Sequence, residues 1–278
     1  MIEKILITGA SGYIGSHIRK KHTKKFETYF LVNNKSIKGI SKKNLVNKNN
    51  IFKKINYLTY VIHLAGIDDF YKNKKYINKK NKELNILIKK IINKYKPKKL
   101  IFTSTNRVYE NVKKKLINEK TKIISNSNYA INKIKTENII KKSNCDYIIL
   151  RLPSVISKKF SKGLIFRLLE NLKKNEDINI YNPNSLFNNV IHADELIKII
   201  FFSIEKNNIK NLVINTCSIK PLKLIEVVKI LKKKVSSKSK VNIKNTKQKS
   251  KYYSTKLQNK IFYNKISSTK KTLLKLFS

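Results

Sequence analysis

The sequence predicts an α/β protein built on a doubly wound parallel sheet, and three observations carry that prediction. Short, β-rich apolar runs alternate with longer stretches of helical period through the first half of the chain. Three of the six glycines, Gly9, Gly12 and Gly15, stand at three-residue intervals directly after the first apolar run. Of the 278 residues 41% are apolar, enough to build a substantial core, and the length allows one large domain or one domain plus a smaller appendage.

The elements follow in order. "KILITG" (4–9) reads as a buried strand, "GSHIRKKHTKKF" as a helix, "TYFLVN" (28–33) as a strand and "YVIHLAG" (60–66) as another. Next come a helix at "NKELNILIKKIINKY" (81–95), a strand at "KKLIFTST" (98–105), a helix at "NYAINKIKTENIIKKS" (128–143) and a strand at "DYIILRLP" (146–153). Each parallel return needs a crossover, so helices cover both faces of the sheet. After Pro153 the rhythm loosens into a helix "GLIFRLLENLKK" (163–174), a short strand "INIY", an acidic helix start at "HADELIKIIFF", a strand "NLVINT" (211–216) and a helix "PLKLIEVVKILKKK". The polar, lysine-rich stretch 235–251 reads as a solvated loop with one strand at "KVNI".

Charge points elsewhere at first. The chain carries 63 Lys plus Arg against 16 Asp plus Glu, net +47, which raises the question of a nucleic-acid partner. Only four of those cations are arginine, Arg19, Arg107, Arg151 and Arg167, although the guanidinium fork is the one that matches phosphate bidentately. The lysines are spread along the whole chain among abundant Asn and Ile, the mixture that AT-rich coding produces, and aromatic interleaving of the RNA-recognition type is absent. Nucleic acid is therefore not the expected partner. Cys145 and Cys217 form no C-x-x-C pair and the four histidines are scattered, so neither a disulfide framework nor a metal is expected. The opening "MIEKILITG" lacks a signal core, and the longest apolar run, "IIFFSI" (199–204), is too short to span a bilayer, so the expectation is a cytoplasmic protein without membrane insertion.

At the junction of a first strand and a first helix, three glycines have a definable use. One permits the tight turn, one lets the backbone approach a pyrophosphate, and one allows close helix–sheet packing. The phosphates then sit on the helix N-terminus, where unpaired N–H groups and the dipole favour negative charge. This points to a Rossmann-type sheet that binds a dinucleotide.

The spacing in "TGASGYIG" resembles that of the extended short-chain dehydrogenase/reductase family, the nucleotide-sugar epimerases, reductases and dehydratases. "VIHLAG" (61–66) is similar to its fourth-strand motif, "IFTSTNRVYE" (101–110) to its active-site strand, "YAINK" (129–133) to its Tyr-x-x-x-Lys, and "LRLPSVIS" (150–157) to its sixth-strand end. "NNVIHADEL" (188–196), "VINTCSIKPLKLIEVV" and "STKLQNKI" (254–261) continue the likeness in the family's order over nearly the whole chain. The resemblance implies cofactor contacts from Gly9, Gly12, Tyr13, Ile14 and Gly15, from Asn33 at the end of the second strand, from Leu64, Ala65 and Gly66, from Thr103 and Pro153, and from Tyr129 and Lys133. It also implies that residues 1–158 are the NAD(P)-binding domain and 159–278 mainly a smaller α/β substrate domain from which some chain returns to the sheet, and that a homodimer forms through two helices of each subunit.

Tyr129 and Lys133 lie four apart on the predicted helix, so they share a face with about 5–6 Å between their Cβ atoms. A neighbouring cation favours the phenolate and pulls the tyrosine down from about 10 toward neutrality, which suits a general acid/base. By resemblance Lys133 also bonds the nicotinamide ribose, Thr105 bonds the reacting sugar oxygen, and Tyr109 packs rather than reacts. The family's 4,6-dehydratases carry Asp-Glu directly after that threonine; here Asn106 and Arg107 stand there, and neither does carboxylate work at neutral pH. That leaves epimerase or ketoreductase. Asn33, followed by Asn34 and Lys35, replaces the carboxylate that meets the NAD ribose, which tips the choice between NAD and NADP toward NADP. On the substrate side Ser154 and Asn188 replace a family Asn and Arg, and Lys247 or Lys249 would neutralise a diphosphate. Two other readings stay open: a reductase of a non-nucleotide carbonyl compound, and a non-catalytic Rossmann-like protein that binds polyanions.

Overall fold

The glycine turn joins the first strand, β1 (Lys4–Thr8), to the first helix, α1 (Tyr13–Lys20), in the computed structural model, which describes residues 2–20, 25–32, 40–68, 73–159, 162–246 and 251–278. The chain continues through β2 (Glu27–Leu31), β3 (Leu45–Val46), α2 (Ile51–Lys54), β4 (Tyr60–His63), α3 (Lys74–Tyr95), β5 (Lys99–Thr105), β6 (Leu116–Ile117), α4 (Asn128–Lys141) and β7 (Asp146–Leu152). Six of these strands and the later strand Leu212–Asn215 form one sheet in the order Leu212–Asn215, β7, β5, β4, β1, β2, β3. β1 pairs parallel with both β2 and β4, β2 with β3, and β4 with β5. The order reverses between β1 and β4, and the crevice at the carboxyl ends of those two strands is where such sheets bind ligands.

Every residue of β4 and β5 is buried, as expected of strands covered on both faces. Leu6, Val61, Leu100 and Ile149 from the strands meet Ile88, Ile92 and Ile140 from the helices in one apolar core. α3 starts at Lys74, seven residues before the apolar period becomes legible, because Asn73 caps it by accepting from the Tyr76 N–H at 2.9 Å. Four lysines among the first seven residues hide that start from a hydrophobicity pattern. α4 is capped by Ser127, which accepts from Ala130 N.

The chain divides into two compact units. The first comprises Met1–Asn111, Ile123–Arg151 and Ile199–Ile214; the second comprises Val112–Lys122, Leu152–Lys198 and Asn215–Ser278. The boundary thus falls at 151/152, where the sequence puts it at 158, and the β6 segment joins the second unit. Within that unit Ser154–Ile156 pairs parallel with Val190–His192, Ile178–Tyr181 with Val241–Lys244, and β6 with Tyr252–Tyr253. Ile165, Leu168 and Leu172 of the helix Leu164–Lys173 pack with Val227 and Leu231 of Leu224–Lys234 and with Leu273. Among the described residues no helix is long and apolar enough to cross a membrane.

A polar network runs through the interior of the first unit. The Arg151 guanidinium on β7 grips the Glu137 carboxylate of α4 with two bonds, Nε to Oε1 at 3.0 Å and Nη2 to Oε2 at 2.7 Å. Ser104 donates to the same carboxylate, and Arg151 also donates to the hydroxyl of fully buried Tyr109, which packs as expected. Burial pushes the Glu137 carboxyl up, but the bonds and charge of Arg151 hold it below its ordinary range. A carboxyl depressed in the folded state adds stability at neutral pH that is lost as pH falls through the carboxylate range. Arg151→Leu is therefore expected to cost about 3–5 kcal/mol at pH 7 in urea unfolding, because it strands a buried charge, and to flatten the loss of stability on acidification.

Candidate active site

At the end of β1 the backbone turns with Gly9 at φ +71°, and a Cβ there would lie 2.7 Å from Ala65 N. At Gly15 a Cβ would lie 2.4 Å from Gly9 O, so α1 can dock onto the turn only without a side chain. Gly12 N closes the turn onto Gly9 O at 3.0 Å, and Arg19 reaches back from α1 to the Ala10 carbonyl. Tyr13 and Ile14 are half-buried in the first turn of the helix, where N–H groups have no partners within the helix itself. Bare backbone followed by a helix N-terminus fits the pyrophosphate of a dinucleotide.

The carboxyl end of β4 is tied to that of β1. Thr8 Oγ1 meets His63 Nδ1 at 2.7 Å and accepts from Ala65 N at 3.3 Å, while Leu64 N donates to Thr8 O. Burial, helped by the Lys133 charge, pushes His63 down to about 3, so it is a neutral strut rather than an acid or base. Asn81 of α3 clamps the following loop, accepting from Ile67 N at 3.0 Å and donating to Ile67 O at 3.1 Å. Neither His63 nor Asn81 is among the sequence-predicted site residues, although His63 lies inside the "VIHLAG" motif.

Tyr129 and Lys133 lie on one face of α4 and share a cavity with Ala65 and Gly66 of this loop. Lys133 Nζ donates to Thr103 O at 2.9 Å and Ala65 O at 3.3 Å, and a Cβ at Gly66 would lie 2.9 Å from that nitrogen. Only 5% of Lys133 is exposed, and burial pushes its ammonium down to about 8 against the opposing charges of Asp68 and Glu137. Tyr129 is half-buried, with Lys133 Nζ 5.7 Å and Arg107 Cζ 5.6 Å from its ring centre. His63, Ala65, Gly66, Tyr129 and Lys133 line one cavity. Thr105 ends β5, and its hydroxyl caps the 3₁₀ turn Asn106–Tyr109 by accepting from Arg107 N at 3.2 Å. Arg107 in turn pairs with Asp68 at 3.2 Å. The sequence reading missed this pair, although the scarcity of arginine was a signal.

In the second unit Pro153 and Ser154 are half-buried. Asn188 corrects an expectation. It is fully buried, and its amide pairs with the backbone of Tyr253, Nδ2 to O at 2.8 Å and Oδ1 from N at 2.9 Å. It holds the strand Tyr252–Tyr253 rather than facing a substrate, because a buried backbone segment must have its polar groups met. Asn33, Lys35, Lys247 and Lys249 lie outside the described residues.

The family model described as NAD dependent epimerase/dehydratase family matches residues 5–217. Among curated proteins, dTDP-D-glucose 4,6-dehydratase of Dictyostelium discoideum is 24% identical over 253 residues, 76% of this chain, and the chain spans 57% of that relative's length. Among solved structures, UDP-glucuronic acid 4-epimerase from Bacillus cereus, in complex with NAD, is 19% identical with a TM-score of 0.80, covering 99% of this chain and 97% of that one. UDP-glucose 4-epimerase from Thermotoga maritima, with UDP-glucose, is 20% identical with a TM-score of 0.77 and the same coverage. UDP-N-acetylglucosamine 4-epimerase from Methanobrevibacter ruminantium, in complex with UDP-N-acetylmuramic acid, is 21% identical with a TM-score of 0.79, covering 100% and 98%. At these identities the likeness to solved structures establishes the fold.

Lys133 has a thermodynamic signature of its own. Its folded ammonium holds a proton less tightly than the unfolded one, so between about 8 and about 10.5 the unfolded state binds more protons and stability rises with pH. Lys133→Met removes that rise. The unfolding free energy of the wild type, measured against the variant, is expected to gain up to about 3 kcal/mol across that window.

Proposed function

This chain belongs to the NAD dependent epimerase/dehydratase family, and from that premise we propose that it is an epimerase or ketoreductase of a nucleotide-activated sugar, with Tyr129 as its acid/base. The observation that carries the reading is Lys133, one helical turn from Tyr129, buried on the carbonyls of Thr103 and Ala65 at the carboxyl ends of β5 and β4. The glycine turn with Tyr13 and Ile14 would hold the pyrophosphate of the cofactor, and Leu64 to Gly66, Thr103, Lys133 and Pro153 its nicotinamide half. When bound, the nicotinamide supplies the hydride acceptor and donor.

The chain's own residues handle the proton. The Tyr129 oxygen takes the proton of a sugar hydroxyl on the way to the ketone and returns one on the way back. Lys133 favours the phenolate by charge, and the Thr105 hydroxyl bonds the reacting oxygen. Asn106 and Arg107 offer no carboxylate for water elimination, so dehydration is not proposed although the curated relative carries that name. Ser154, Lys247 and Lys249 remain the sequence's assignments for the substrate. Asn33 and Lys35 favour NADP, whereas the named Bacillus structure contains NAD. No arginine follows Arg167, and that observation supports the second reading, a carbonyl substrate without a diphosphate.

Tyr129→Phe is expected to lower kcat by about 10²–10⁴-fold while leaving cofactor affinity nearly unchanged; turnover at the wild-type rate refutes the assignment. Denaturing the purified protein and measuring the released nicotinamide separates the two reactions. Near-stoichiometric NAD is expected of an epimerase, which returns its hydride within one turnover. An empty protein that prefers added NADPH is expected of a ketoreductase, and affinity for neither overturns the catalytic reading in favour of polyanion binding.

A further inference from the structure

Tyr129 does not face Lys133 alone. Among the described residues, two cations from different elements stand within 6 Å of its ring centre, Lys133 Nζ at 5.7 Å from its own helix and Arg107 Cζ at 5.6 Å from the 3₁₀ turn after β5. Arg107 is held there from two sides. Its backbone N–H is capped by Thr105 Oγ1, and its Nη1 meets Asp68 Oδ1 at 3.2 Å. Composition adds weight, because four of 63 basic residues are arginine. In a chain whose ordinary cation is lysine, an arginine marks a place where the planar fork has a geometric use. Arg151 uses it on the Glu137 carboxylate. Arg107 uses it between a carboxylate and an aromatic face.

We propose that Arg107, held by Asp68 over the Tyr129 ring, is a positioning residue for Tyr129, a second cation that stabilises its phenolate. The proposal rests on the reading of Tyr129 as acid/base. A guanidinium stays charged throughout the working range of pH, whereas the Lys133 ammonium, pushed down to about 8, loses its charge in mild alkali. Arg107 thus supplies the charge that does not titrate. Among the described residues, the other groups around the ring do not replace it. His63 is neutral, Glu137 further along α4 is paired with Arg151, and α3 lines the cavity with Asn81, Leu84 and Asn85, none of them charged. Asp68 offsets part of the Arg107 charge, and both side chains are about one-third exposed, which limits the expected effect to about one pH unit.

The test needs no substrate. Phenolate absorption of the full chain is titrated for the wild type, Arg107→Gln and Arg107→Lys, each with and without Tyr129→Phe, so that subtraction isolates Tyr129 from the other tyrosines. Circular dichroism reports folding. The Tyr129 midpoint is expected to lie below that of an ordinary tyrosine in the wild type, to rise by about one pH unit in Arg107→Gln, and to rise by less in Arg107→Lys, which keeps the charge without the fork. A low wild-type midpoint that does not move in Arg107→Gln overturns the role of Arg107 and leaves the acid/base reading standing. A wild-type midpoint at the ordinary tyrosine value of about 10 overturns both. If Arg107→Gln does not fold, Arg107→Lys decides: a midpoint raised by a full unit despite the retained charge overturns the proposal.

Discussion

The buried ammonium of Lys133 is the constraint around which the rest of the first unit is arranged. A cation with 5% of its surface exposed needs oxygen partners, and it takes them from two strands at once, Thr103 O on β5 and Ala65 O just beyond β4. The demand is met because β4 and β5 are neighbours in the sheet, which brings both carbonyls within reach of α4. It also presses on the loop, because a Cβ at residue 66 would lie 2.9 Å from that nitrogen and push the ammonium off its carbonyls. Carbonyl dipoles are weaker partners than a carboxylate, and the distant charges of Asp68 and Glu137 only partly compensate. The ammonium is therefore destabilised without being abolished, and its charge in turn helps to keep His63 neutral beneath it.

Such an ammonium is useful only if the helix that carries it keeps its register, and the Glu137–Arg151 pair one turn further along α4 supplies that register. A buried ion pair is weak evidence of stability, since apolar residues of the same volume often serve as well. Its contribution here is direction. Two parallel bonds from Arg151 fix α4 to β7, Ser104 fixes the same carboxylate to β5, and the bond to Tyr109 fixes the turn in which Arg107 sits. Apolar packing would tolerate a slide along the helix axis that these bonds do not.

Much of this was legible in the sequence because local chemistry and global fold agree there. The glycine spacing, the alternation of strand and helix, and the Tyr129–Lys133 interval each have a local cause that the structure retains. Where the reading stopped short, the cause was long-range. The α3 start depends on a capping asparagine inside a lysine run, and the clamp from Asn81 to Ile67 joins residues fourteen apart. Asn188 was read as facing a substrate because it aligns with a binding arginine in the resembled family, yet its amide serves a backbone strand sixty-five residues away. Nothing in the local pattern around Asn188 distinguishes those two uses. Arg107 and Asp68 were overlooked as a pair for the same reason, since their contact closes only when β4 and β5 are side by side.

Net charge and charge placement make different arguments about this chain. A protein that works through its positive field needs surface lysines and little else, and at +47 this one has them in every region. That need does not explain the interior. Lys99 is buried with its ammonium on the carbonyls of Ser203 and Lys206, Glu195 is buried against Lys275, and Arg151 is buried on Glu137. Each of these charges meets a specific partner, so the structure distinguishes cations that composition supplies from cations that geometry uses. Lys133 and Arg107 belong to the second kind, and they converge on one half-buried phenol at the carboxyl end of the sheet. A surface field would gain nothing from that convergence, whereas the proton transfer proposed for Tyr129 would use it.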